Sequence, residues 1–433
     1  MRRTTVVCMI LMLSVVSVIL AAPGADAASG PPIDGGSTAW VAICTALVFI
    51  MTPGVALFYG GMLRKQSMTS IMAQTLVVVA IMTLSWVLVG YTLAFGGEGT
   101  IVGSLDHVIL NGIAYDDVME GGIPELEFVM FQCAFALITA GIVIGACAER
   151  IHFKAIALFL IVWSVAVYAP MAHWVWGGGL FDEYFTVLDF AGGTVVHICA
   201  ATTGLALAVF VGRRGDRVIK DRAHNLPLVF IGFTLLWFGW LGFNGGSGLA
   251  ADGIATNAIL VTQLSMATAM AVWALIQYFH TGHVGVLGLI SGGVAGLVAI
   301  TPAAGYVTAS SAIIIGAVCA PICYFGVLFM RRKSGIDDAL DVFGVHGLGG
   351  IWGSVATGIF ALESMGGAAG LIEGGTDLFV GQIVAVIITL VYCFAASYVI
   401  IFLVSKVTPV RLSEDEEAIG ADIMEHGEPS YII

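Results

Sequence analysis

FAGGTVVHICAATTGLALAVFV, residues Phe190–Val211, contains no Asp, Glu, Lys or Arg over 22 positions and runs into Gly212, Arg213 and Arg214. Lipid offers backbone N–H and C=O groups no water, so a chain crosses it as a helix or a closed barrel. A helix needs about 20 apolar residues to do so. The stretch is therefore expected to be a membrane-spanning helix with arginines at one end. One ionisable side chain, His197, lies inside it.

Ten further segments read the same way. With Phe190–Val211 they are Trp40–Leu63, Met68–Phe95, Phe128–Ala148, Ala155–His173, Leu226–Phe243, Asn257–Phe279, Val284–Ile300, Ala309–Met330, Val342–Phe360 and Leu378–Val404, none of which contains an Asp, Glu, Lys or Arg. The composition agrees: 59% of the 433 residues are hydrophobic, 10% are charged, and mean hydropathy is +1.01. Ordinary soluble domains are about a quarter charged, so this balance excludes a soluble enzyme, a nucleic-acid binder and a disordered scaffold. The 56 glycines suit helices packed closely in lipid, where small residues let backbones approach. The expected class is an all-α polytopic membrane protein.

Arg2 and Arg3, the apolar run Val6 to Leu20 and the A-x-A signature Ala25-Asp26-Ala27 read as a cleavable signal peptide over 1–28. Its removal leaves the N-terminus outside, and eleven crossings then leave the C-terminus in the cytoplasm. The 16 basic residues test this: beyond Arg2 and Arg3 they fall at Arg64 and Lys65, Arg150 and Lys154, Arg213 to Arg222, Arg331 to Lys333, and Lys406 and Arg411. All of these are inner connections, as positive-inside bias requires. The loop between the second and third spans is acidic instead, with Glu98, Asp106, Asp116, Asp117, Glu120 and Glu125. Such a field raises the local concentration of a small cation, though solvated loop charge has the same composition. The mature cysteines all lie in apolar spans, without a C-x-x-C pair, and read as small buried hydrophobes.

Two segments echo each other five spans apart. ALFYGG, Ala56–Gly61, is matched by LGFNGG, Leu241–Gly246, and DFAGGTVVH, Asp189–His197, by DVFGVHG, Asp341–Gly347. Five is odd, so the second copy enters the membrane from the opposite side. The expectation is an inverted repeat of two five-helix halves, about 40–213 and 225–362, followed by an eleventh helix at about 378–404, with functional sites where the halves meet. His197 and His346 are the interior ionisable pair. An ionisable group in a span is costly, and marks function by default. Read from the residues alone, the pair is either a structural hydrogen bond or a neutral, proton-sharing couple for a small polar molecule. Zinc would want three or four ligands, and no third is in reach by sequence. Aromatics from three helices collect at the outer side: Phe131 and Phe135 at i and i+4, Trp174 and Trp176 before three glycines, and Trp240 and Phe243 before Ser247. They are either an interfacial belt or a box whose ring faces attract a cation.

With these residues the chain closely resembles the ammonium transporter family, the Amt/Mep branch of the Amt–Mep–Rh superfamily. The resemblance rests on FYGGMLR at Phe58–Arg64, FQCAFALITAGIVIGACAERIHF at Phe131–Phe153, HWVWGGGL at His173–Leu180, LDFAGGTVVHICA at Leu188–Ala200, FGWLGFNGGS at Phe238–Ser247 and GVHGLGGIWG at Gly344–Gly353. It implies a transporter domain over 37–405 and a homotrimer with one pore per protomer. It assigns Phe131, Trp176 and Ser247 to an outer ammonium-recruitment site, and Phe135 and Phe243 to a gate. His197 and His346 become the twin histidines of the pore, Asp189 a buried carboxylate supporting recruitment, and Tyr168 a supporting residue. No cofactor or metal is implied. Residues 406–433 resemble the family's cytoplasmic regulatory tail, which implies a PII-type signal protein at the inner mouth, whereas composition alone reads them as acidic and disordered. Trp352 and Lys65-Gln66 depart from the family's usual wording, and Trp352 is expected to tighten packing behind His346.

The expected function is ammonium transport across the cell membrane, with methylammonium as a candidate second substrate. Ammonium is recruited, deprotonated and passed on as ammonia, with net charge movement expected, although these residues do not decide the proton's route. The rivals are a neutral, Rh-like gas channel, which lacks the tryptophan box, and an ammonium sensor signalling through its tail. No nucleophile–base pair lies within the spans, so an enzyme is not expected.

Overall fold

The computed structural model describes residues 32–119, 121–215 and 223–432; the leader read over 1–28 lies outside them. Among the described residues the chain is helical, with two isolated backbone bridges, Val118 to Pro124 and Ile151 to Arg411. Helices stand at all eleven expected positions. The first three are α1, Gly35–Met62, α2, Lys65–Phe95, and α3, Glu125–Ala146. α4 runs over Phe153–Trp163, through a wide turn at Ser164–Tyr168, into Ala169–Trp176. Then come α5, Gly193–Val211, α6, Leu226–Gly246, α7, Gly253–Thr281, α8, Val286–Ile300, and α9, Ala309–Arg332. α10 joins Phe343–Gly347 to Leu348–Phe360, and α11 is Asp377–Ser405. Nine of these are long and apolar enough to cross a bilayer, α8 and α10 being the short ones. The protein is a multi-pass membrane protein.

The helices outrun the charge-free segments because polar residues cap them. Asp34 accepts the Ser37 N–H at 2.6 Å to start α1, and Asp252 accepts that of Ala255 at 2.9 Å to start α7. α3 begins at Glu125, so Glu125 and Glu127 fall in its first turn, where the sequence reading expected no charge within a span.

α1 and α6, the opening helices of the two proposed halves, pack against each other along most of their length. Glycine makes this possible. A Cβ at Gly232 of α6 would stand 2.3 Å from the Phe58 nitrogen and 2.7 Å from the Gly54 oxygen, both on α1. One at Gly239 would stand 2.6 Å from the Leu47 oxygen.

The basic connections gather at one end of the bundle. Glu149 is buried there and pairs with Arg64 at 3.0 Å and Arg214 at 2.7 Å. Arg214 also grips both oxygens of Asp337, at 2.9 and 2.8 Å. Burial alone would raise the Asp337 carboxyl, but the Arg214 hydrogen bonds and the Arg214 and Arg150 charges more than offset it and hold it at about 2. Arg150, fully buried, donates to the carbonyls of Gly212, Ala146 and Asp337.

The acidic tail folds onto this basic end rather than away from it. α12, Glu414–Ile419, starts in a reciprocal cap between Ser413 and Glu416. Buried Glu417 accepts from Arg411 at 3.1 Å and from the Gly215 N–H at 2.9 Å. Asp422 accepts the Ser70 N–H at 2.8 Å, and Glu425 the Phe153 N–H at 2.8 Å while pairing with His152 at 2.7 Å. Lys65 and Gln66 meet the tail too: the Lys65 carbonyl accepts from Ser430 at 3.4 Å, and a Cβ at Gly420 would stand 2.4 Å from that of Gln66.

Gly232→Leu is expected to force α1 and α6 apart and abolish monodisperse protein in detergent, as size-exclusion chromatography would register. Gly253→Ala, with nothing within 4 Å of the added carbon, is expected to behave as wild type. Because the Asp337 carboxyl is depressed in the fold, its stabilisation is present above about pH 4 and lost as pH falls towards about 2. Arg214→Ala is expected to flatten that part of the acid-unfolding curve and to lower the melting temperature at pH 7.

Candidate functional site

The site stands on two wide turns. α5 opens on Gly193–Ile198 and α10 on Phe343–Gly347, both wound with i→i+5 bonds. Each turn carries one of the histidines. Asp189 accepts four N–H groups from the first: Gly192 at 2.8 Å, Gly193 and Thr194 at 2.7 Å, and Val195 at 3.3 Å. Gly192 makes this wrap possible, with φ 110° and a Cβ position 2.5 Å from Val196 Cγ2.

The second turn has the same cap, but not from the residue that the sequence comparison paired with Asp189. Asp338 accepts Val342 N–H at 3.0 Å and Phe343 N–H at 2.7 Å. It precedes His346 by eight residues, as Asp189 precedes His197 (346 − 338 and 197 − 189). Asp341, the expected partner, instead pairs with Arg331. The apparent match of Asp341 came from its position beside the Phe-Gly pair. Burial and then the Asp341 charge push the Asp338 carboxyl up to about 7, against the pull of its amides.

The two capped turns bring His197 and His346 together. Their Nδ1 atoms are 3.3 Å apart and both rings are buried. One Nδ1 must donate and the other accept, so of the two Nε2 atoms one accepts and one donates. His197 Nε2 is buried and has no partner among the described residues. It faces a void lined by Val55, Tyr59, Ile142, Trp240, Phe243 and Val294 among others, with about 20 Å³ open to a water-sized molecule. That is room for about one such molecule, and none for an ion with its hydration shell.

Towards the opposite end from the arginines, Phe243 lines the void and Phe135 stacks on it. Their rings stack at 4.1 Å and 18°, and both are buried. Beyond them Phe131 lies 4.9 Å from Phe135, and Trp176 meets Phe135 edge-on at 5.9 Å. Trp176 is half-buried, and its indole N–H donates to the Asp189 carbonyl at 2.7 Å, so Asp189 and its turn orient this ring. Ser247 donates to the Phe243 carbonyl at 2.8 Å, leaving its lone pairs to accept. Ring faces attract a cation, and the Ser247 hydroxyl keeps lone pairs free to accept a hydrogen bond.

Not every expected aromatic joins. Trp174 points away, packed on Phe181 and Tyr392 with its N–H on the Ile101 carbonyl. Trp240 belongs deeper: it stacks on His197 at 5.2 Å and donates to Thr301 at 2.9 Å. Its i, i+3 spacing from Phe243 was the signal that both face one wall. Tyr168 is buried between Trp86 and Trp163, outside the lining of the void. The Trp352 indole bonds the Ile315 carbonyl and ties α10 to α9.

Residues 39–431 match the family model described as Ammonium Transporter Family. An ammonium transporter of Bacillus subtilis is 45% identical over 399 residues, covering 92% of this chain and 98% of the relative. The crystal structure of Saccharomyces cerevisiae Mep2 superposes with a TM-score of 0.81 at 31% identity, over 89% of this chain and 92% of that one. A structure titled Sensor Amt Protein superposes at 0.84 with 29% identity, over 90% and 98%.

Asp189→Ala strips the acceptor from four buried amides. It is expected to cost about 3 kcal/mol or more, read as a lower melting temperature, with Asp189→Asn recovering part of the loss.

Proposed function

The chain belongs to the ammonium transporter family, and on that footing we propose that it carries ammonium across a membrane by splitting it into ammonia and a proton. Ammonium settles between Phe131, Trp176 and Ser247, where ring faces and a hydroxyl replace part of its water. The Phe135–Phe243 stack then bars the hydrated ion. Carrying a bare charge into the void would cost many kcal/mol (an idealised Born figure is about 20), so the proton is left behind and neutral ammonia passes. The imidazole pair offers ammonia a donor and an acceptor along the way. Potassium can sit on the rings but has no proton to shed, which is the basis of selectivity.

The observation that carries this reading is the stacked gate at 4.1 Å above a void fit for one water-sized molecule beside two neutral-capable imidazoles. The aromatic end faces outward and the basic end the cytoplasm, by the positive-inside rule. In this reading the protein is a homotrimer, each protomer with its own pore. The docked tail, 406–433, is a regulatory segment next to the mouth that a PII-type protein would cover. The released proton follows, making transport electrogenic.

Ammonium pulses on proteoliposomes fused to a solid-supported membrane are expected to evoke a sustained current, and potassium pulses none. An electrically silent protein that still moves ammonia, seen with a pH dye, would mean neutral passage; silence in both would return the reading to a sensor. Trp176→Leu is expected to raise half-saturating ammonium about three- to tenfold. His197→Ala or His346→Ala is expected to abolish coupled current or to admit potassium.

A further inference from the structure

Glu127 precedes Phe131 by four residues, as Phe131 precedes Phe135. Residues four apart share one helical face with Cβ atoms about 6 Å apart, and side chains lean towards the helix N-terminus. Carboxylate, seat ring and gate ring therefore follow one another along α3, the carboxylate outermost. The Cys44 Cβ and the Phe131 ring both press on Gly246, where a Cβ would stand 2.5 Å from the first and 2.8 Å from the second. Ser247 is the next residue, so the Phe131 ring, one helical turn in from Glu127, meets the segment that carries the hydroxyl.

Both carboxylate oxygens of Glu127 are shut off from solvent, and neither has a hydrogen-bond partner among the described residues. Neighbouring acids are engaged: Tyr91 donates to Glu125 at 2.7 Å, the Ala114 N–H to Asp117, and Ser37 and Ala255 N–H groups to Asp34 and Asp252. A buried carboxylate with nothing to accept from is costly, and is relieved either by a proton or by a cation beside it. Among the described residues, every Lys and Arg stands in a connection of the basic end, and none reaches the aromatic end.

We infer that Glu127 is a cation station ahead of the aromatic seat, where ammonium is held by the ionised carboxylate before it passes to Phe131. The inference rests on the transport reading above and adds a residue to it. Its consequence is selectivity for the cation over neutral ammonia at the mouth, since only the ion gains from the charge.

The test is the ammonium-evoked current of wild type, E127Q, E127D and E125Q in proteoliposomes. E127Q is expected to raise half-saturating ammonium about three- to tenfold while keeping the maximal current within about twofold. E127D is expected to raise it about twofold, and E125Q to leave it unchanged. An E127Q protein with wild-type half-saturation overturns the inference, as does one that loses maximal current alone. If E127Q yields no folded protein, E127D decides: an unchanged half-saturation overturns the inference. A wild type that passes no ammonium defeats the transport reading instead. Titration of the solubilised proteins with ammonium, followed by tryptophan fluorescence, then decides separately, and equal affinities of wild type and E127Q overturn the station.

Discussion

Two buried carboxylates hold the imidazole pair in register. Asp189 and Asp338 each gather the free N–H groups of a wide helical turn, and each turn presents a histidine eight residues on. A helix start in a dry interior leaves its first amides without partners, and a carboxylate satisfies several at once. The same act aims the imidazoles at each other and, through the Asp189 carbonyl, orients Trp176. The Asp189 turn therefore supports both Trp176 and one imidazole, and the Asp338 turn supplies the opposing imidazole.

Around that support the interior is kept dry and narrow. Glycines let α1 and α6 approach until backbone touches backbone, which leaves a void for one small molecule rather than a channel for hydrated ions. Trp240 closes the wall behind His197 and fixes its own N–H on Thr301, so it adds no loose donor to the path. The polar interactions are instead concentrated at the basic end, where Glu149, Arg214 and Asp337 tie α3 to the connections before α6 and α10, and the tail locks over them.

Span positions, the pairing of the histidines and the aromatic residues were legible in the chain because lipid imposes a simple code on it: long apolar runs, and no charge without reason. What misled was proximity in sequence. Asp341 lies nearer to His346 than Asp338 does, yet the cap needs a carboxylate four and five residues before the amides it accepts. Trp174 and Trp176 are two apart, which on a helix points them to different sides, and only Trp176 reaches the gate. The tail's acidic composition read as solvated until the basic surface it covers was in view.

Sequence alone determined that this chain is a polytopic helical membrane protein of the ammonium transporter family, with its basic residues at one end and two histidines inside. Hydrophobic length and charge are summed along the chain, and need no knowledge of neighbours. Tertiary structure alone decided which side chains meet: the stacked phenylalanines, the imidazoles 3.3 Å apart, Trp240 on His197, and a Glu127 without a hydrogen-bond partner among the described residues. Those depend on helices from both halves converging, and periodicity within one helix cannot say what stands opposite it.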